Sequence, residues 1–351
     1  MDQVPVSGHY GCPMLNGYSF SDDMIYEAVR KKRLLSIHIE INSNCNLKCR
    51  YCHFHINKNS TTEIDLAKLL RLVDKAKSLG ALSVVITGGE PTLYGGFKEL
   101  IEFINKCQMI PVVFTNAVNI SQTSAKFLFD NNVSVMARLD SFRPSVQDQL
   151  SGSSGSYVLI HAGLHNLFEA GFTNISDNEH LRLGISFAAS RLNKSEIEEI
   201  WHFCRRNKVY PNFEVRQINT GADESFEDLM SKDEIRDYKV KLFEIDSQIY
   251  DYKQPFSFNQ ESSLCLKPLY NLYVTVDGNV CPCLATRLNE PSFFSENGEY
   301  LFNINRLDLD DIFSSQIFDS FRETLCRAKI NGNPRVFIND CTGHCGFLSG
   351  R

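Results

Sequence analysis

Between residues 35 and 249 short β-branched runs alternate with amphipathic helical runs, and this alternation limits the fold more than any other feature. Strands are predicted at Leu35–Ile41, Leu82–Thr87, Ile110–Thr115, Val133–Leu139, Leu181–Ala188 and Phe213–Ile218. Helices are predicted at Ile64–Leu79, Phe97–Cys107, Ser121–Asn131, Ser156–Ala170, Lys194–Asn207 and Ile235–Ile249. Asn193 with Glu196, and Ser231 with Glu234, have the spacing of capping boxes. Strands that alternate with helices need right-handed parallel crossovers, so the class is α/β. Six such units are too few for an eight-stranded barrel, which predicts a partial (β/α)6 TIM-like barrel. After Asp251 the pattern changes. Tyr252–Ser263 reads as a polar connection, Leu272–Val280 as a hairpin turning at Asp277-Gly278, and Asp310–Lys329 as a helix. The expected division is an N-terminal extension (1–34), a barrel (35–250) and a small hairpin-plus-helix domain (251–351).

Composition narrows the function classes. With 43% apolar and 22% charged residues the chain is a folded protein. A net charge of −6 makes it a poor gripper of nucleic-acid backbone. No apolar run is long enough to span a membrane, and no basic-then-apolar signal opens the chain, so a cytoplasmic location is expected, with neither nucleic acid nor membrane as partner. The 12 cysteines are clustered: Cys45, Cys49 and Cys52 in one loop, and Cys265, Cys281, Cys283, Cys326, Cys341 and Cys345 in the last quarter. In a reducing compartment clustered thiols are metal or redox ligands more often than disulfides; a secreted disulfide protein is the alternative. Cys107 and Cys204 lie in apolar helical settings that suit buried structural thiols, and Cys12 has no motif around it.

The first predicted strand runs directly into Asn44-Cys45-Asn46-Leu47-Lys48-Cys49-Arg50-Tyr51-Cys52. Thiolates so spaced can each bind a different iron of one cube, leaving the fourth iron open for chemistry. A zinc site completed by His53 or His55 is the alternative. His38 and Glu40 alternate with isoleucines on the same strand, as interior polar residues of a barrel would.

Cys-x3-Cys-x2-Cys with an aromatic residue before the last cysteine, here Tyr51, resembles the signature of the radical S-adenosylmethionine (radical SAM) superfamily. The resemblance covers about residues 35–249. It implies a [4Fe–4S] cluster on Cys45, Cys49 and Cys52 that binds S-adenosylmethionine (SAM) and, on reductive cleavage, yields a 5′-deoxyadenosyl radical. An external electron donor such as flavodoxin or ferredoxin is implied as a partner. Gly88-Gly89-Glu90-Pro91 matches the family's Gly-Gly-Glu-Pro, which receives the SAM ammonium. Glycines let backbone approach a ligand and Glu90 supplies a countercharge. Thr115-Asn116-Ala117 resembles the family's Thr-Asn-Gly, which implicates Asn116 in SAM binding, although Ala117 departs from Gly. Arg138-Leu139-Asp140-Ser141 stands where many relatives have Ser-Leu-Asp-Gly. Arg138 either meets the SAM carboxylate or an anionic substrate, or simply bonds Asp140. Ser190, Arg216 and Gln217, at the ends of the last two strands, are looser candidates, with Ser190 assigned to SAM.

The second cysteine set resembles the auxiliary-cluster extension of radical SAM oxidoreductases, the Twitch or SPASM type, notably that of 2-deoxy-scyllo-inosamine dehydrogenases. It implies a second [4Fe–4S] cluster on Cys265, Cys283, Cys341 and Cys345, with zinc the alternative. Cys283 is preferred to Cys281 because it keeps the Gly-x4-Cys spacing; the final pair is one residue wider than usual, and Cys326 stays spare. The leading expectation is a radical SAM oxidoreductase acting on a sugar, aminocyclitol or related alcohol. Maturation of a ribosomally made peptide and radical dehydration of a sugar are the alternatives. A non-catalytic iron–sulfur sensor or electron carrier would have no use for Gly-Gly-Glu-Pro.

Overall fold

Parallel pairing dominates the structure, a computed structural model that describes residues 12–52, 62–174, 180–214, 228, 230–252, 267–283, 293–295 and 297–330. The strands are β1 (Met14–Leu15), β2 (Ser36–Glu40), β3 (Ser83–Thr87), β4 (Ile110–Thr115), β5 (Ser134–Arg138), β6 (His180–Leu181), β7 (Leu183–Ala188), β8 (Tyr210–Glu214), β9 (Asn271–Val274) and β10 (Val280–Cys281). Eight of them form one sheet in the order β10-β9-β2-β3-β4-β5-β7-β8, and every neighbouring pair but β9–β10 is parallel. The helices that return the chain between strands include α1 (Asp22–Arg30), which precedes the sheet, then α2 (Leu66–Ser78), α3 (Phe97–Lys106), α4 (Gln122–Asp130), α5 (Pro144–Ser151), α6 (Ser156–Glu169), α7 (Ile197–Arg206) and α8 (Lys232–Ile249). This is the expected α/β partial barrel.

Side-chain alternation gives the sheet two faces. Ile37, Ile39, Val84, Ile86, Val113, Val135 and Ile185 join the helices in one continuous core. On the other face Tyr273, His38, Val85, Val112 and Ser134 stand in one row across five strands. Arg138, Ser186 and Asn212 stand in another, nearer the strands' C-terminal ends. The N-terminal segment closes the far end of this lumen: Leu15 packs with Val85, Val112 and Met136, and Ser83 Oγ donates to the Gly17 carbonyl at 2.6 Å.

The hairpin is where sequence reading placed it, with Gly278 at φ +85° and its N–H bonded to the Thr275 carbonyl. Its pairing was not foreseen: β9 lies parallel beside β2 and so extends the barrel sheet. The seam is polar as well as backbone-paired, because buried Glu40 accepts from Tyr273 Oη at 2.6 Å and from Val276 N at 3.0 Å. Glu40 and His38 are thus interior polar residues.

Three local expectations change. The sixth strand lies at Tyr210–Glu214, several residues before the predicted Phe213–Ile218, of which 215–218 lie outside the described residues. Pro211 is accommodated because, among the described residues, β8 pairs with β7 alone and can spare a backbone donor. The fifth strand is split, with His180–Leu181 pairing β1. Asn193 and Glu196 form no capping box, because both are used elsewhere: Asn193 Nδ2 donates to the carbonyls of Asp140 and Ala188, and Glu196 accepts from Ser141, Phe142 and Arg143. The Ser231–Glu234 box is formed as predicted.

Trp201, the only tryptophan of the sequence, donates its indole N–H to Asp246 Oδ1 at 2.8 Å, and Arg205 pairs with the same carboxylate. Both charges are almost wholly buried, so removing one strands the other at a cost of about 3–5 kcal/mol. Asp246→Ala is expected to lower stability by about that much in urea denaturation followed by Trp201 fluorescence.

Candidate functional site

The loop after β2 carries Cys45, Cys49 and Cys52 across the C-terminal ends of the strands, and its backbone is held from two sides. Gly89 N donates to Asn42 O at 2.8 Å and Glu90 N to Asn44 O at 2.7 Å. From the other side, Lys48 N and Arg50 N donate to the carbonyls of Ser151 and Leu150, both at 3.1 Å. These contacts explain the glycines. A Cβ on Gly88 would lie 2.4 Å from Asn42 O, one on Gly89 2.2 Å from Asn44 O, and one on Gly152 2.2 Å from Lys48 O. The close approach expected at Gly88-Gly89 is therefore made to the cysteine loop's own backbone.

Glu90 is fully buried and heavily bonded. Its Oε1 accepts from the hydroxyls of Thr92 and Thr115, both at 2.7 Å, and from Thr92 N; its Oε2 accepts from Asn116 N at 2.8 Å. Burial raises its pKa and the four donors oppose the rise. A carboxylate offers about four lone-pair sites, so Oε2 keeps acceptor capacity for an ammonium. Asn116 ties the end of β4 to the loop: its Nδ2 donates to Asn46 Oδ1 at 2.6 Å and lies 3.8 Å from Cys45 Sγ. Ala117 holds φ +63°, the conformation a glycine would favour, at a cost of about 1–2 kcal/mol.

Arg138 faces the lumen as a paired cation. Its Nε donates to Asp140 Oδ1 at 3.1 Å and to Tyr51 Oη at 3.0 Å, and its Nη1 donates to Ser186 Oγ and Glu214. Its guanidinium carbon lies 4.4 Å from the Tyr51 ring centroid, and the Tyr51 hydroxyl donates to Asp140. The bonding expected between Arg138 and Asp140 is present, while Arg138 Nη2 is buried without a hydrogen-bond partner among the described residues. Ser190 is buried, its hydroxyl donating to Asn193 Oδ1 at 3.0 Å.

Sequence reading missed Tyr51 as a bridge, and it missed Asn212 and Glu214. Asn212 fell before the predicted strand and Glu214 within it; a period of two from Tyr210 puts both on the lumen face. In the second cysteine set, Cys265, Cys341, Cys345 and the candidates Arg216 and Gln217 lie outside the described residues, as do His53 and His55. Cys283 is buried just beyond β10. Cys281 is wholly buried within β10, its thiol donating to the carbonyls of Cys283 at 3.3 Å and Tyr273 at 3.8 Å. Cys204 is a core thiol pushed up to about 12 by burial.

The first loop fits an iron–sulfur cube. None of its cysteines is in a disulfide, and they lie close enough to act on one another electrostatically. Burial pushes the Cys45 thiol up to about 11 and raises that of Cys49, with the charge of Cys52 adding to both. Leu47 N, 3.5 Å from Cys45 Sγ, and Asn116 Nδ2 are donors suited to the thiolate. Among the described residues no three ligand side chains converge on a single ion, and a cube asks for a different arrangement, because each thiolate binds its own iron.

Residues 39–189 match the radical SAM superfamily, and residues 265–345 match SPASM, an iron–sulfur cluster-binding domain. The two matches thus lie in tandem along the chain. The cofactors these domains imply are a [4Fe–4S] cluster with SAM in the first and further iron–sulfur binding in the second. It is 23% identical over 278 residues to the probable GTP 3′,8-cyclase of Methanosarcina mazei, covering 74% of this chain and 80% of that one. It is 29% identical over 161 residues to the mycofactocin maturase MftC of Mycolicibacterium smegmatis, covering 46% of this chain but only 39% of that one. In structure it resembles Streptococcus suis SuiB bound to its precursor peptide SuiA, with TM-score 0.64 and 18% identity over 86% of this chain and 70% of that one. No helix among the described residues is long and apolar enough to cross a membrane.

Gly89→Ala is expected to displace the cysteine loop, since the new methyl cannot share space with the Asn44 carbonyl. The iron-to-protein ratio after anaerobic reconstitution and desalting should fall by more than half. Gly95→Ala, where nothing lies within 4 Å of the added carbon, should keep the wild-type ratio.

Proposed function

We propose that this chain is a radical SAM enzyme that takes a hydrogen atom from a C–H bond of a peptide and completes an oxidation at that residue. The carrying observation is the position of the Cys45–Cys49–Cys52 loop, pinned against Gly88-Gly89-Glu90 and Asn116 at the open end of a polar lumen. Bound there, the cluster and SAM would supply a 5′-deoxyadenosyl radical. The chain's own residues do the rest. Glu90 and Asn116 would hold the amino-acid end of SAM, and Leu15, Tyr18 and Phe114 close the lumen floor against water. Cys265, Cys283, Cys341 and Cys345 would hold the auxiliary cluster, which would supply an acceptor for the second electron.

Charge favours this substrate class over a nucleoside triphosphate. Arg138 is outnumbered by the carboxylates of Asp140 and Glu214 that it pairs with, so this trio offers phosphates no net positive charge. The name of MftC, a maturase, agrees. A small neutral or amine-bearing alcohol is the second reading, favoured by the same carboxylate pair, to which hydroxyl or ammonium donors are suited.

The test is anaerobic incubation of the reconstituted protein with reductant, SAM and two panels of deuterated compounds, one of peptides and one of sugars and aminocyclitols. Deuterium in 5′-deoxyadenosine from a peptide is the expected result. Label from the second panel alone would replace the peptide reading by the alcohol reading. Replacing Cys45, Cys49 and Cys52 together by Ala should abolish SAM cleavage, and cleavage that persists would overturn both.

A further inference from the structure

Tyr51 lies between Cys49 and Cys52 in the chain, packs against Val146 and Leu150, and is gripped by two opposite charges. Resting on the assignment of the cluster to Cys45, Cys49 and Cys52, we propose that Arg138 and Asp140 are positioning residues whose opposed charges, braced against Tyr51, set the reduction potential of that cluster.

Both charges are fixed. Asp140 is wholly buried; its Oδ1 accepts from Ala188 N at 2.8 Å, and its backbone N–H donates to Gln147 Oε1 at 2.8 Å. The Arg138 side chain is 16% exposed and is held at once by Asp140, Tyr51, Ser186 and Glu214. Neither group can swing away, so each contributes a constant field to the loop. Both groups touch Tyr51, which adjoins Cys52 and lies two residues from Cys49, so the field acts on the cluster loop itself.

Reduction adds one negative charge to a cluster. A fixed cation nearby favours that state and a fixed anion opposes it, and the weak dielectric screening of an interior lets the effect act over several ångströms. A purely mechanical role predicts something else. Arg138 and Asp140 touch the same tyrosine, so losing either would loosen the loop in a similar way.

The experiment is a potentiometric titration of the full-length reconstituted protein, following the electron paramagnetic resonance signal that changes when SAM is added. Arg138→Gln should disfavour reduction about tenfold, a downward shift of about 59 mV for a one-electron couple. Asp140→Asn should shift it upward by a similar factor, and Arg138→Lys, which keeps the charge, should stay near wild type. Shifts of the same sign in Arg138→Gln and Asp140→Asn, or none in either, would overturn the proposal. If Arg138→Gln fails to retain iron, Asp140→Asn and Arg138→Lys decide it: an unmoved Asp140→Asn overturns it, and an upward shift there with Arg138→Lys near wild type supports it. Failure of the wild-type protein to form any SAM-sensitive cluster would instead overturn the underlying assignment.

Discussion

The clamp between the cysteine loop and the end of β3 is the contact on which the rest of the site depends. Two backbone hydrogen bonds, from Gly89 to Asn42 and from Glu90 to Asn44, join segments nearly fifty residues apart in sequence. They form only because neither glycine carries a Cβ to collide with the loop's carbonyls. The same clamp delivers Glu90 into the interior, where Thr92, Thr115 and Asn116 donate to its carboxylate and tie a third strand to the arrangement. A loop bearing three thiols would otherwise have many conformations to choose from. Here backbone bonds restrict that freedom, which lowers the entropic cost of assembling the ligands.

The lumen uses the two-residue period of its strands to separate two tasks. Outward residues fill one apolar core with the helices, and the inward residues nearer the C-terminal ends build a polar row, Arg138, Ser186 and Asn212, bonded across strands. Buried carboxylates at Glu40, Glu90, Asp140 and Glu214 are each provided with donors. Burying such groups without donors would cost more than a domain of this kind can spare. The result is a stiff polar wall, closed at its base by the N-terminal segment and bearing the cysteine loop at its open end.

Strand β9 makes the C-terminal part continuous with this wall. Its parallel pairing with β2, the strand that feeds the cysteine loop, and the Tyr273–Glu40 bond put the hairpin leading to Cys283 in direct register with the element that positions Cys45. The two cysteine-bearing regions therefore share a sheet, and Tyr273 and His38, with ring centroids 4.8 Å apart, pack across the join.

Local pattern alone determined the α/β class, the positions of most strands and helices, the Asp277-Gly278 turn and the Ser231 capping box, because each follows from side-chain periodicity or from turn and cap chemistry within a few residues. The cysteine spacing and Gly-Gly-Glu-Pro marked the site in the same local way. Other features needed the tertiary structure. The start of β8 at Tyr210 and the pairing that turns Asn212 and Glu214 into the lumen came from the sheet, not from the local run of residues. Asn193 and Glu196 had the letters of a cap, but stronger partners at Asp140 and Ser141 claimed them. The bond of Arg138 to Asp140, two residues on, was one of the expected alternatives, but its binding to Glu214 and Tyr51 is a fact of register that no window of sequence contains. Joining β9 to β2 is of the same kind: backbone pairing between distant segments is chosen by the whole sheet, because its hydrogen bonds carry no side-chain signature to read in advance.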